Sequence, residues 1–150
     1  MKQSFGHPIF FTKNILLSIG LVAFLNSCAG NSQQSLYDEI GGQAVLETLV
    51  DNFIMEIASD NRVLPRFLDS NVNRFREKMI EHMCLLADGP CIYTGDDMVQ
   101  VHAGMNINSA EFNAIVEDLM SAMDKTGIAL SSQNQILARM APLRPQVIGI

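Results

Sequence analysis

Apolar residues recur at three- and four-residue spacing through most of the chain, and each such run is closed by glycine or proline. The strongest run is Ala44 to Ala58, where Val45, Leu46, Leu49, Val50, Phe53, Ile54 and Ile57 predict one buried helical stripe. Ahead of it, Ser35 with Asp38 predicts a capped stub over Leu36 to Ile40, stopped by Gly41-Gly42. A tight segment through Pro65, Phe67 and Leu68 leads to a second long helix, Val72 to Leu86. Val72, Phe75, Met79, Met83 and Leu86 face inward in this reading, and Asp88-Gly89-Pro90 breaks the helix. Thr94, followed three residues later by Asp97, predicts a capped short helix from about Gly95; Met98, Val101 and His102 share its face and Gly104 stops it. Asn108 or Ser109 opens a third long helix, apolar at Phe112, Ile115, Val116, Leu119, Met120 and Met123, which closes at Gly127. Ser131 or Ser132 opens the last, with Ile136, Leu137, Met140 and Leu143 inward, and Pro142 kinks or ends it by removing a backbone donor. No convincing strand, repeat or low-complexity block interrupts this order. The pattern predicts an all-α domain of four substantial helices and two short ones.

The first 27 residues read differently. Lys2 and Lys13 precede the apolar run Ile15 to Leu25, with small residues after it, as in an export leader. The run is too short for a stable membrane span, which takes roughly 20 residues. Its end, Leu25-Asn26-Ser27-Cys28-Ala29, resembles the lipobox of bacterial lipoproteins. That resemblance implies lipidation at Cys28, several acyl chains strong enough to anchor it, and a polar tether over residues 28–34 before the domain at 35–150. Ordinary cleavage and an uncleaved apolar N-terminus are the alternatives. Ala29, in place of a retaining aspartate, points to the outer membrane. The expected location is therefore exported and lipid-anchored, facing the periplasm or the outer membrane.

Loss of Lys2 and Lys13 with the leader leaves eight basic residues against 16 acidic ones, a net charge of −8. Such a surface repels nucleic acid and anionic lipid heads. There is no Cys-x-x-Cys, no His-rich cluster, no nucleophile elbow and no phosphate loop, which argues against structural zinc and against a hydrolase. Cys84 and Cys91 flank the Asp88-Gly89-Pro90 break. After export they form a disulfide if their α-carbons come within about 7 Å; otherwise Cys84 is a buried thiol.

His102 is the candidate for chemistry. A short helix with an apolar face and one imidazole at its end suits the proximal ligand of an iron porphyrin. The same pattern also describes a hydrogen-bonded core histidine. The stretch Tyr93-Thr94-Gly95 through Met98 to His102, Gly104 and Ile107, with about 110 residues around it, resembles the group I truncated haemoglobins. Leu36-Tyr37-Asp38-Glu39-Ile40-Gly41-Gly42, Asp88-Gly89-Pro90 and Ala141-Pro142-Leu143-Arg144 carry the same resemblance in the same order. It implies a two-over-two helical sandwich, haem b as cofactor, and His102 as the iron ligand, with Met98 one turn earlier on the same face. Coordination requires the neutral imidazole, so acid is expected to loosen it. Phe67 then packs on the haem, Phe75 and Met79 face the iron from the distal helix, and Lys78 either reaches a propionate or is a solvated charge. Nine methionines suit a conforming pocket, or simply a helical core.

The chain departs from the family at two positions. Members that hold oxygen tightly usually carry Tyr after the Phe of the first long helix and often Gln on the distal helix; here these are Ile54 and Met79. Weaker oxygen binding and easier oxidation of the iron are expected, with CO affected less. His82 is either a rim histidine, a replacement donor or a sixth iron ligand, and the Met79 thioether is a further candidate for internal ligation.

The sequence thus predicts a membrane-tethered, monomeric truncated haemoglobin that takes oxygen, nitric oxide or CO, with a reductant the sequence does not name. It is read as a ligand-binding protein and not an enzyme; turnover of nitric oxide to nitrate is disfavoured by the missing donors. An electron-transfer or redox-sensing haemoprotein using His82 or Met79 is the rival reading, and a haem-free lipoprotein module is the third.

Overall fold

Residues Leu46, Leu49, Val50, Phe53 and Ile57 lie three and four apart, so one side of α2 (Gly42–Ser59) is continuously apolar and buried. The computed structural model describes residues 34–150; the predicted leader, Cys28 and residues 28–33 of the tether lie outside the described residues. The buried side of α2 rests on α5 (Ser109–Thr126), where Ala114 and Ala122 are fully buried. α2 also packs on α3 (Val72–Leu86), and α3 on α6 (Leu130–Met140). Two helices lie over two, as expected. α1 (Leu36–Ile40) covers α2 and α6, and α4 (Met98–His102) rests on the 3-10 turn Ala141–Gln146 that continues α6. Among the described residues there is no strand, only an isolated bridge between Ile107 and Ile148. Asn106 N donates to Ile150 O at 2.9 Å and Gly149 N to Ile107 O at 3.0 Å, which pins the chain end beside the α4–α5 turn.

Most helix ends follow the sequence. Ser35 Oγ accepts from Asp38 N at 3.1 Å, and Gly41 closes α1 at φ 111°, with an added Cβ falling 2.6 Å from Val45. Asn108 and Glu111 form a reciprocal capping box, and Gly127 ends α5 in the left-handed region. α3 has its predicted bounds. α6 yields to a 3-10 turn after Met140, with Pro142 in that turn's first positions.

Several expectations are corrected. α4 starts at Met98, not near Gly95, because Asp97 is its cap and pairs with Gln100; the Thr94 hydroxyl is engaged elsewhere. Ala129, not Ser131 or Ser132, precedes α6, and Ser132 is buried with its hydroxyl donating to Glu39 at 2.7 Å. Val72, Val101 and Met120 are exposed. For Met120 the reason is rotation of α5: its buried stripe runs through Ala114, Asp118, Leu119, Ala122 and Met123, so the small and acidic residues take the inner side.

Asp118 is only 7% exposed, and its Oδ2 has no partner. Burial first, then the neighbouring Asp60 carboxylate, raises its carboxyl from 3.8 to about 6, with Glu56 and Glu117 adding to the rise and Arg62 opposing it. Asp60 itself is held low by Arg62. The folded state thus holds the Asp118 proton more tightly than the unfolded chain. Its stabilising effect is full at acid pH and is lost as pH rises from about 4 to 6. Asp118→Asn keeps the shape without the charge. It is expected to stabilise the domain by about 1–3 kcal/mol at pH 7.5 and little at pH 3.5, read by urea unfolding at both pH values.

Candidate functional site

α4 has only five residues and is held by its capping box: Gln100 N donates to Asp97 Oδ1 at 2.8 Å, and Asp97 N to the Gln100 side chain at 3.2 Å. His102 is its last residue, half-buried, with Nδ1 2.7 Å from Met98 O. A carbonyl oxygen only accepts, so Nδ1 carries the proton and donates it. In the neutral ring that leaves the lone pair on Nε2, and the ring is fixed in direction by the residue one turn earlier. Met98 serves through its backbone here. Flanking His102 in the chain, Val99, Val101 and Met105 are each at least 40% exposed and give this segment apolar surface.

α2, α3 and the connection between them line an apolar cavity of about 100 Å³. Ile54, Ile57 and Ala58 line it from α2, Leu64, Phe67 and Ser70 from the connection, and Val72 and Phe75 from α3. Phe67 meets Phe75 edge-on with centroids 5.4 Å apart, and Phe75 lies 6.3 Å from Phe53. The structure thus brings the predicted Ile54, Phe67 and Phe75 together. Ile57, Ala58, Leu64 and Ser70 are additions; only the α2 stripe signalled any of them, through Ile57. Met79, one turn beyond Phe75, is half-buried against the core.

Lys78 and His82 are both engaged by neighbouring side chains. The Lys78 ammonium lies 2.8 Å from Glu77 and 2.9 Å from Glu81 and donates to Thr94 Oγ1, so it is no free surface charge. The His82 ring packs 5.4 Å from Tyr93, and burial lowers its pKa, leaving it neutral at neutral pH. Glu81 was not singled out in the sequence, and Thr94 only as a helix cap. The i, i+3 pair Lys78–Glu81 was visible there, but its loop partner was not. Cys84 and Cys91 are joined in a disulfide with α-carbons 6.0 Å apart.

A cavity of this size has room for a diatomic molecule, since a water takes about 30 Å³, but not for a tetrapyrrole. A flat apolar group would instead cover exposed apolar surface, as found beside His102 in the chain and at the cavity, where Val72 is 52% exposed. With one oriented imidazole and apolar walls, the residues present fit an iron porphyrin. Among the described residues, no cluster of three or more His, Cys, Asp or Glu exists to hold a bare metal ion.

The chain belongs to the bacterial-like globin family, whose pattern it matches over residues 35–148. It is 34% identical to the group 1 truncated hemoglobin GlbN of Mycolicibacterium paratuberculosis over 113 residues, covering 75% of this chain and 83% of the relative. The corresponding protein of a Nostoc species is 30% identical over 115 residues, covering 77% and 98%. The crystal structure of truncated hemoglobin from Tetrahymena pyriformis, Fe(III) form, superposes with a TM-score of 0.75 at 25% identity, covering 78% of this chain and all of that one. The group II truncated hemoglobin of Bacillus anthracis shares the fold, with a TM-score of 0.70 at 22% identity. As a globin of this kind the chain takes haem b as its cofactor.

Proposed function

We propose that this globin binds diatomic ligands (oxygen, nitric oxide or CO) at a haem iron held by His102 Nε2, with an unusually apolar distal side formed by Ile54, Phe75 and Met79. The observation that carries the reading is the Nδ1–H bond from His102 to Met98 O, which orients the ring and makes Nε2 the ligating nitrogen of the neutral tautomer. Haem supplies the ligand-binding iron; the chain's residues hold and shelter it. Val99, Val101 and Met105 offer apolar surface on the His102 side. Phe67 and Phe75 wall the cavity in which a small apolar gas fits. Lys78 would reach a propionate only by giving up part of its contact with Glu77 and Glu81. Ligand binding, not catalysis, is the role these residues favour, because no hydrogen-bond donor is among the Ile54, Phe75 and Met79 side chains.

Titration of the purified chain with hemin tests the reading: a Soret band should saturate at one equivalent. The ferrous spectrum should then be five-coordinate. A six-coordinate low-spin spectrum would instead support internal ligation by His82 or Met79 and the electron-transfer reading. The same proposal places the domain outside the cytoplasm on a lipid anchor at Cys28. The Cys84–Cys91 disulfide supports this, since such bonds persist in oxidising compartments. Cells expressing the full chain should incorporate labelled palmitate into it, and Cys28→Ser should abolish the label.

A further inference from the structure

The chain between α3 and α4 does not hang free. From Cys91 to Asp96 it runs back along one side of α3 and is fastened at successive turns. Cys91 is bonded to Cys84, Tyr93 packs on His82, Thr94 is held by Glu81 and Lys78, and Asp96 lies 3.7 Å from Arg74. Glu81 makes the closest-knit of these attachments. Its carboxylate accepts from Thr94 N at 2.8 Å and from Thr94 Oγ1 at 2.9 Å, and also from Lys78 Nζ at 2.9 Å. These donors hold the Glu81 carboxyl below its ordinary range, so it is ionised at neutral pH.

The turn beyond Thr94 is stiff. Tyr93 Oη donates to Asp96 O at 2.7 Å, and its ring folds over Gly95 so closely that an added Cβ would lie 2.4 Å from Tyr93 Oη. Asp97, the cap of α4, follows directly. A five-residue helix cannot hold itself in water, because nucleation is unfavourable and few bonds follow it. Its placement therefore comes from its attachments: the 3-10 turn Ala141–Gln146 at one end and the 93–97 turn at the other.

We propose that Glu81 is a positioning residue for His102: by gripping Thr94 it fixes the turn that caps α4, and so fixes the direction of the imidazole. The consequence for haem rests on the function proposed above; the effect on α4 does not.

Amide hydrogen exchange on the full chain and hemin loss from the loaded chain test this together. Glu81→Ala should speed exchange at residues 98–102 at least tenfold while α2 and α5 keep their protection, and should speed hemin loss about tenfold. Glu81→Gln, which still offers an acceptor to Thr94 N, should restore most of the protection. Glu77→Ala removes the other carboxylate on Lys78 without touching Thr94, and should stay within twofold of wild type. If Glu81→Ala loosens the whole domain, Thr94→Ala decides: exchange at 98–102 should rise at least threefold with the core unchanged. Exchange at 98–102 within twofold of wild type in these variants overturns the proposal. If α4 loosens as expected but His102→Ala still binds hemin normally, the positioning role stands and the haem ligation falls.

Discussion

A His102→Gly chain should bind hemin about a hundredfold or more weakly than wild type, and millimolar imidazole should restore a Soret band. The expectation follows from how few nitrogen donors the domain has. His82 and His102 are the only histidines among the described residues, and His82 packs on Tyr93. Removing His102 leaves apolar contact alone to hold the cofactor on that side. Free imidazole can enter the vacated space and supply the missing nitrogen, with the Met98 carbonyl still present to accept from its other nitrogen but no covalent tether to the chain. Rescue separates a lost ligand from a damaged fold, because imidazole cannot repair packing. Core residues such as Leu49 and Met123 are far from the variant's chemistry in kind, and the unfolding midpoint should stay near wild type.

The second large effect concerns oxygen. Dioxygen at a haem site draws negative charge and is steadied by hydrogen-bond donors, whereas CO holds little charge. Ile54 contributes hydrocarbon to the cavity, and Met79 is a thioether at most a weak acceptor. Ile54→Tyr places a phenol hydroxyl in a cavity of about 100 Å³, which has room for it. A single charge-assisted bond of about 1.5–3 kcal/mol corresponds to a tenfold to hundredfold slower oxygen release. Displacement of oxygen by CO in a stopped-flow experiment should show that slowing, with autoxidation slowed in parallel. The CO off-rate should change less than threefold. Equal slowing of both gases would mean that the tyrosine merely blocks the exit.

Apolar spacing made the helical order and the bounds of α3 readable, because burial and periodicity coincide there. Local caps were readable where the side chain has no other employment, as at Ser35 and Asn108. Thr94 misled for a tertiary reason: its hydroxyl bonds to Glu81, thirteen residues earlier, so the cap of α4 passes to Asp97. Ser132 is a similar case, since its hydroxyl reaches Glu39. Asp118 was invisible as a core residue because nothing in its neighbours signals that an acid faces inward. Of the site, His102, Ile54, Phe67 and Phe75 stand out from pattern and resemblance, and the last three do share a cavity. The Cys91–Asp96 attachments to α3 were not legible, since hydrogen bonds between a loop and a helix leave no period in a sequence.

Resonance Raman spectra of the ferrous protein, grown with ¹⁵N-labelled histidine, report whether the proposed bond from the His102 nitrogen to haem iron exists. The iron–nitrogen stretch should shift on labelling in wild type and in His82→Ala, and should vanish in His102→Gly. A labelled band that persists in His102→Gly without added imidazole would contradict it.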